Sequence, residues 1–283
     1  MCVLFFLLNP NPSENGYKLI LANNRDEYYT RPTKIADFWD NEPNIISGLD
    51  MEPGKEGGTW LGMTKTGRIG VLLNILQPVG QTNVEKKGRG FLVTDFLKST
   101  KNPPEYLGDI FKEGDAYNSF NLVTIEINST APDATIGHYT NFSSEVPIFL
   151  TPGEHAFGNS RPQTPWKKIV VGSHKFTQVI SKHKTCDSMN ELIEDLIGIL
   201  SDETTMLPDP QLESQTDGRG EEFSKKLSAL KVIIPGIKYG TRTNTIIIVD
   251  SHNKATYVER TMKEPIDVNN PEWITTQHVF QII

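Results

Sequence analysis

A cysteine at position 2 is the residue of this sequence best suited to do chemistry. Methionine aminopeptidase removes Met1 where the next side chain is small, and Cys2 would then carry a thiol and a free α-amine. An α-amine titrates near pH ~8 and a thiol near ~8.5, close enough to exchange a proton. The thiolate attacks carbonyl carbons, and an adjacent base is one route to it. Cysteine is also a small buried hydrophobe in many cores, so position alone leaves both readings open.

The densest polar cluster is Asn23-Asn24-Arg25-Asp26-Glu27, read as following directly on a second strand. A guanidinium and a carboxylate there could hold a thiolate and orient an α-ammonium. A charged turn held by its own Asx hydrogen bonds is the competing reading. Gly57-Gly58-Thr59-Trp60-Leu61-Gly62 could admit a ligand to backbone amides with Trp60 on the wall, although Gly-Gly before a strand also marks a bulge or turn. Asn74, Asn159 and Arg242 each read as polar side chains at strand ends, where an oxyanion donor or a carboxylate clamp is supplied, or as structural groups. The six histidines have no metal-ligand spacing, and no Ser-His-Asp signature, P-loop or dinucleotide fingerprint is present. No metal is expected.

These residues need elements to bring them together. The apolar run 3–8 and the stretch 17–22, joined by Asn9-Pro10-Asn11-Pro12 and Asn15-Gly16, form a hairpin that returns the chain to the neighbourhood of Cys2. A second hairpin pairs 60–63 with 68–74. Strands so apolar on both faces belong in the middle of a sandwich. Helical spacing covers 91–97, Pro103-Pro104 opens a helix to about residue 114, and 166–182 and 188–200 follow, the last behind a Ser188 cap with Glu191 at its third position. Residues 120–127 and 135–139 alternate as strands, 201–222 reads as a long loop, and 245–249 and 255–260 close the chain as a hairpin. Helices covering two packed antiparallel sheets accommodate this order in one domain, 1–283.

Composition narrows the function. A net charge of -7 and the absence of a long basic run exclude a nucleic-acid partner; the densest basic stretch, Lys86-Lys87-Gly88-Arg89, reads as a solvated loop entering a helix. Two cysteines, Cys2 and Cys186, make no disulfide framework and fit a reducing compartment. The leading apolar run is short, lacks a basic flank and reads as a strand, not a signal peptide. No stretch approaches the ~18 apolar residues of a membrane span, so peripheral association is the most that is expected.

Taken together, Met1-Cys2, Asn24-Arg25-Asp26-Glu27, 57–62, Gly88-Arg89-Gly90 and 239–244 resemble the family named for its Asn-Arg-Asp-Glu motif, through essentially the whole chain. The resemblance implies an α+β fold of the N-terminal-nucleophile hydrolase type, a four-layer αββα sandwich related to bile-salt hydrolases and penicillin V acylases. Carried over residue by residue, it implies Cys2, Asp26, Asn74, Asn159 and Arg242 as catalytic candidates. Asn23, Asn24, Arg25, Glu27 and Trp60 are the ligand-binding candidates. One position departs: the acylases place an Arg three residues before the Asp, where this chain has Asn23, and Arg25 adjoins Asp26 instead. The resemblance further implies roles in Golgi organisation and secretion, lipid homeostasis with acyl-CoA binding, and haem trafficking, in cytoplasm, mitochondria and Golgi. The expectation is a binder of a hydrophobic small molecule, haem or acyl-CoA, beside Cys2. No cofactor is required, and haem enters as a ligand. The alternatives are an amide or thioester hydrolase working through an acyl-Cys2, and a scaffold in secretory traffic.

Overall fold

The six apolar residues after Cys2 form β1 (Val3–Leu8), buried except for half-buried Leu7. The turn returns the chain as β2 (Tyr17–Tyr28), antiparallel to β1 with Val3 opposite Asn24. The structure is a computed structural model and describes residues 2–142 and 145–283. β2 is longer than its apolar pattern indicates. The cluster 23–27 lies within this strand and not after it, because its polar side chains find buried partners on both faces of the sheet.

The chain continues through β3 (Thr33–Trp39), β4 (Glu42–Asp50), β5 (Leu61–Thr64) and β6 (Arg68–Asn74), then α1 (Phe91–Lys98) and α2 (Pro103–Lys112). Next come β7 (Phe120–Ile127), β8 (Ala134–Thr140), β9 (Ile148–Leu150) and β10 (Gly153–Phe157). A helical stretch follows: α3 (Lys167–Lys182), α4 (Met189–Leu200), α5 (Pro210–Gln215) and α6 (Glu221–Leu227). The last strands are β11 (Ile233–Ile234), β12 (Tyr239–Asp250), β13 (Lys254–Met262) and β14 (Trp273–Gln281). Two antiparallel seven-stranded sheets result. One runs β10-β1-β2-β12-β13-β14 with β11 beside β12, and the other runs β3 to β9 in sequence order.

Three apolar layers hold these elements. Leu4, Phe6, Leu19, Leu21, Ile247 and Tyr257 of the first sheet meet Ile46, Leu61, Met63, Val71 and Val123 of the second. Val3, Phe5, Ile20, Ala22 and Ile246 turn the other way, onto α3 and α4 through Ile169, Phe176, Leu192 and Leu196. Leu72, Leu122 and Tyr139 turn outward from the second sheet onto Leu92, Phe96 and Leu107 of α1 and α2. Side-chain alternation along each strand thus feeds two cores at once, and the layer order is the αββα sandwich expected. Each fully buried Leu or Phe contributes about 1.5–3 kcal/mol.

Two local expectations change. Ser188 makes no side-chain cap on α4; its hydroxyl donates back to Thr185 O at 3.3 Å. The stretch 201–222 is not a bare loop, since Asp209 caps α5 by accepting from Leu212 N at 3.1 Å, with Pro210 at the first helical position.

Candidate functional site

At one end of the sandwich the inward-facing residues of the first sheet change from apolar to polar. Along β2, Leu19 and Leu21 are followed on the same face by Asn23 and Arg25; across the sheet these stand opposite Thr245 and Thr243. Cys2 precedes β1 on this face and packs against the inner core, partly exposed. Hairpin register therefore sets Cys2 beside Arg25, as the sequence indicates.

Arg25 is 4% exposed, lies 4.1 Å over the Trp60 ring and donates to Thr33 Oγ1 at 3.1 Å. Burial pulls its guanidinium below the usual range. Burial likewise pushes the Cys2 thiol up, and the Asp26 carboxylate adds to this, while the Asp26 backbone N–H and Arg25 oppose it. Asp26 points to the opposite face of the sheet, where its Oδ1 accepts from Thr241 Oγ1 at 2.6 Å. Thr241 Oγ1 in turn accepts from Val232 N at 2.9 Å, and Tyr239 OH donates to Asp26 O at 3.2 Å. Lys168 of α3 is fully buried in that layer, donating to Ala229 O at 3.0 Å, and burial lowers its ammonium's pKa.

Arg25 and Trp60 form part of the wall of a cleft of about 330 Å³. Its charged lining is Arg25, Arg31, Lys55, Lys86, Lys87 and Arg89 against Glu27 and Asp50. Arg31 is held by Asp50 in a bidentate pair, with Nε to Oδ1 at 3.0 Å and Nη2 to Oδ2 at 2.6 Å, and stands 3.7 Å from Glu27. Arg89 donates to Ser119 O at 2.8 Å and is brought down to about 10 by burial. The stretch 86–89 does enter α1 from solvent, yet it also furnishes a cleft wall that its sequence reading omits. Leu72, Val84, Phe91 and Trp60 supply the apolar part. Cys2 is not on this wall, although its neighbour Arg25 is.

Asn74 ends β6 exposed on the cleft, and its carbonyl accepts from Asn159 Nδ2 at 2.6 Å, so these two candidates come together. Asn159 follows β10 and is fully buried, held by Gln215 Nε2 on its carbonyl at 3.1 Å. Gln215 also takes the Trp166 indole N–H at 2.6 Å and donates to Leu76 O at 2.7 Å. Asn121 donates to Gly158 O and Ser160 O on either side.

Besides Asp26, two further candidates turn away from the cleft. Asn24 donates to Leu200 O and Leu230 O and accepts from Asn244, a buried structural set beneath the helices. Arg242 is not at a strand end. It occupies a bulge inside β12, where its guanidinium donates to Tyr28 O and Arg31 O and pairs with Glu264 at 2.5 Å. Asn23 donates to Val3 O at 2.8 Å and bridges the β1–β2 end. Sequence reasoning omits Arg31, Lys55, Lys168 and Glu259, and reads Lys86, Lys87 and Arg89 only as a solvated loop. Among the described residues no group of three His, Cys, Asp or Glu could hold a metal ion, and no helix is long and apolar enough to cross a membrane.

A model of the family described as Transport and Golgi organisation 2 matches residues 1–264. The Homo sapiens protein named Transport and Golgi organization protein 2 homolog is 42% identical over 283 residues, covering 100% of this chain and 99% of that protein. The Drosophila melanogaster Transport and Golgi organization protein 2 is 35% identical over 269 residues, covering 93% and 92%. Among solved structures, the N-acylethanolamine-hydrolyzing acid amidase ortholog of Caenorhabditis elegans overlays with a TM-score of 0.46 at 10% identity, over 87% of this chain and 92% of that one. At that score the overlay carries no argument about chemistry.

Proposed function

The chain belongs to the Transport and Golgi organisation 2 family, and from that premise we propose that it binds an anionic amphiphile in the cleft beside Cys2. One observation carries this reading: six cationic side chains and two acidic ones line the cleft of a chain whose net charge is -7. A concave site concentrating one sign of charge attracts the other. Between the two ligands expected, the wall favours acyl-CoA. Its phosphates suit Lys86, Lys87 and Arg89, and its carbonyl suits Arg25. Haem has two carboxylates and two broad apolar faces, for which Trp60, Leu72, Val84 and Phe91 offer less wall. The protein would then act in lipid homeostasis, with haem as the second ligand in this reading, in the cytoplasm and at Golgi and mitochondrial surfaces.

Hydrolysis through Cys2 is the second reading, favoured by the placement of Cys2 and Arg25 on one face. Against it stand the raised thiol and the position of Cys2 off the cleft wall. Met1, whose removal that chemistry requires, lies outside the described residues. One experiment separates the two. Purified protein is titrated with palmitoyl-CoA and with haemin, and its intact mass is taken afterwards. Saturable binding of palmitoyl-CoA, weakened roughly 10- to 100-fold in Arg25→Met, with no mass change, is expected. An acyl adduct on Cys2 would establish the hydrolase reading, and no binding of either ligand would overturn the first.

A further inference from the structure

One rank of the first sheet has a composition the cleft alone does not explain. Asn23, Thr245, Glu259 and Thr276 stand directly opposite one another across β2, β12, β13 and β14. Asn23 Oδ1, Glu259 Oε2 and Thr276 Oγ1 are buried with no hydrogen-bond partner among the described residues, while Thr245 neighbours the Tyr257 hydroxyl. Unsatisfied buried polar atoms are individually costly, and three on one rung of a sheet call for a reason.

Glu259 is 1% exposed. Its Oε1 accepts from Ala36 N of β3 at 2.8 Å, and its Oε2 faces Gly48 of β4 alongside the Trp60 ring, whose own N–H has no hydrogen-bond partner among the described residues. On the other side of the balance is Arg25, buried on Trp60 and hydrogen-bonded to a hydroxyl. Neither Arg25 nor Glu259 makes an ion pair among the described residues. Two opposite charges buried about one indole, each without a contact ion pair, are poised to respond to a third charge.

We propose that Glu259 is a proton-exchanging counter-charge of Arg25, on the sandwich side of Trp60, while Glu27 and Asp50 balance the guanidinium from the cleft. As a carboxylate it shares the balance of the guanidinium with Glu27 and Asp50; when an anion enters the cleft and adds to that balance, Glu259 binds a proton drawn from solvent. Anion binding and proton binding are then coupled, each strengthening the other. The inference rests on the anion-binding reading above. Burial pushes the Glu259 carboxyl up to about 7, against the Ala36 N–H, Arg25 and Arg242, which lower it. Glu259 is faced by Thr245 and Arg242 of β12, Tyr257 and Thr261 of its own strand, Thr276 of β14, and Ala36, Gly48 and Trp60 across the sandwich. His278 of β14 reaches the same Ala36 through its carbonyl at 3.2 Å and stands 3.9 Å from Asp37. The row ends at Thr276 on the partly exposed edge strand β14, which gives the proton a short way out.

The test uses the full chain with carboxyl-labelled glutamate, followed by NMR across pH. A carboxyl signal absent from Glu259→Gln should titrate near 7, and Arg25→Met should move its midpoint up by about one unit, because removing a nearby cation disfavours the carboxylate. Calorimetry with palmitoyl-CoA at pH 7 in two buffers of different ionisation enthalpy should read uptake of about half a proton per complex, lost in Glu259→Gln. A Glu259 midpoint in the ordinary carboxylate range, or one unmoved by Arg25→Met, overturns the coupling. Failure of palmitoyl-CoA to bind removes the function reading, while the NMR measurement still decides the Arg25–Glu259 coupling. Binding without proton uptake, beside a midpoint that does shift, overturns the ligand linkage alone.

Discussion

Arg25, Glu259, Lys168 and His138 are all ionisable groups taken out of water, and each is resolved differently. Arg25 leans on an indole, Lys168 on a carbonyl and Glu259 on a backbone amide, whereas His138 gives up its charge. His138 lies 4.9 Å from the Phe157 ring and 3.1 Å from Asn121 Oδ1 through Nε2, and burial takes it down to about 4 from 6.5. A folded-state value below the unfolded one means that the unfolded chain binds the proton first as pH falls. The neutral ring's contribution is whole above 6.5 and is lost progressively down to about 4. From pH 7 to pH 5 the loss should reach roughly 2 kcal/mol. Urea unfolding at both values should show it, with His138→Gln losing correspondingly less. The candidate site was legible in the sequence as far as strand arithmetic reaches. Cys2 beside Arg25 follows from the hairpin, and Trp60 from its place after Gly57-Gly58 at the start of a strand. Glu259 was not legible, since a lone carboxylate in an alternating strand reads as an outward-facing residue. Nor were Arg31 and Lys55, which are brought to the cleft only by pairing between β3 and β4.

At the scale of elements, the apolar strands and the helices α1 to α4 follow their sequence patterns because one face of each is continuous hydrocarbon. β12 extends through 239–244 and β2 through 23–28 for the opposite reason. There the buried partners are polar, and hydrophobic periodicity has no purchase on them. β14 escapes notice because its inward residues, Ile274, Thr276, His278 and Phe280, alternate with exposed ones and include few apolar side chains. The short helix α5 is similarly hidden, yet it is coupled to the site. Gln215 at its end connects the Trp166 indole to the carbonyls of Leu76 and Asn159. Gln215→Ala leaves three buried polar groups without that partner and should cost about 1–3 kcal/mol. Thermal unfolding measures the loss; amide exchange at Asn159 and Leu76 should rise with it, and unchanged protection there would mean that α5 does not hold the Asn159 turn.

The whole molecule carries net negative charge while concentrating cations in one cleft, so long-range attraction of an anion competes with repulsion from the rest of the surface. Palmitoyl-CoA affinity should fall as salt rises, and reversing Lys86 and Lys87 to Glu should lower it roughly tenfold and flatten the salt dependence, with a small loss of stability from the broken Lys87–Glu113 pair. Titrations at two ionic strengths decide this, and equal salt slopes in both proteins would exclude these lysines from the attraction. The two sheets also differ in how their strands are drawn from the chain. β3 to β9 pair with sequence neighbours, but β2 meets β12, and the Asp26–Thr241 hydrogen bond joins residues 215 apart. At a ribosome adding ~5–20 residues per second, β2 waits on the order of 10–40 s for its partner with one edge unpaired. During that interval the second sheet can close, whereas the wall that carries Arg25 and Glu259 cannot. The sheet wall behind the cleft is therefore completed late, and a nascent chain stalled before β12 would present an unpaired strand edge in its place.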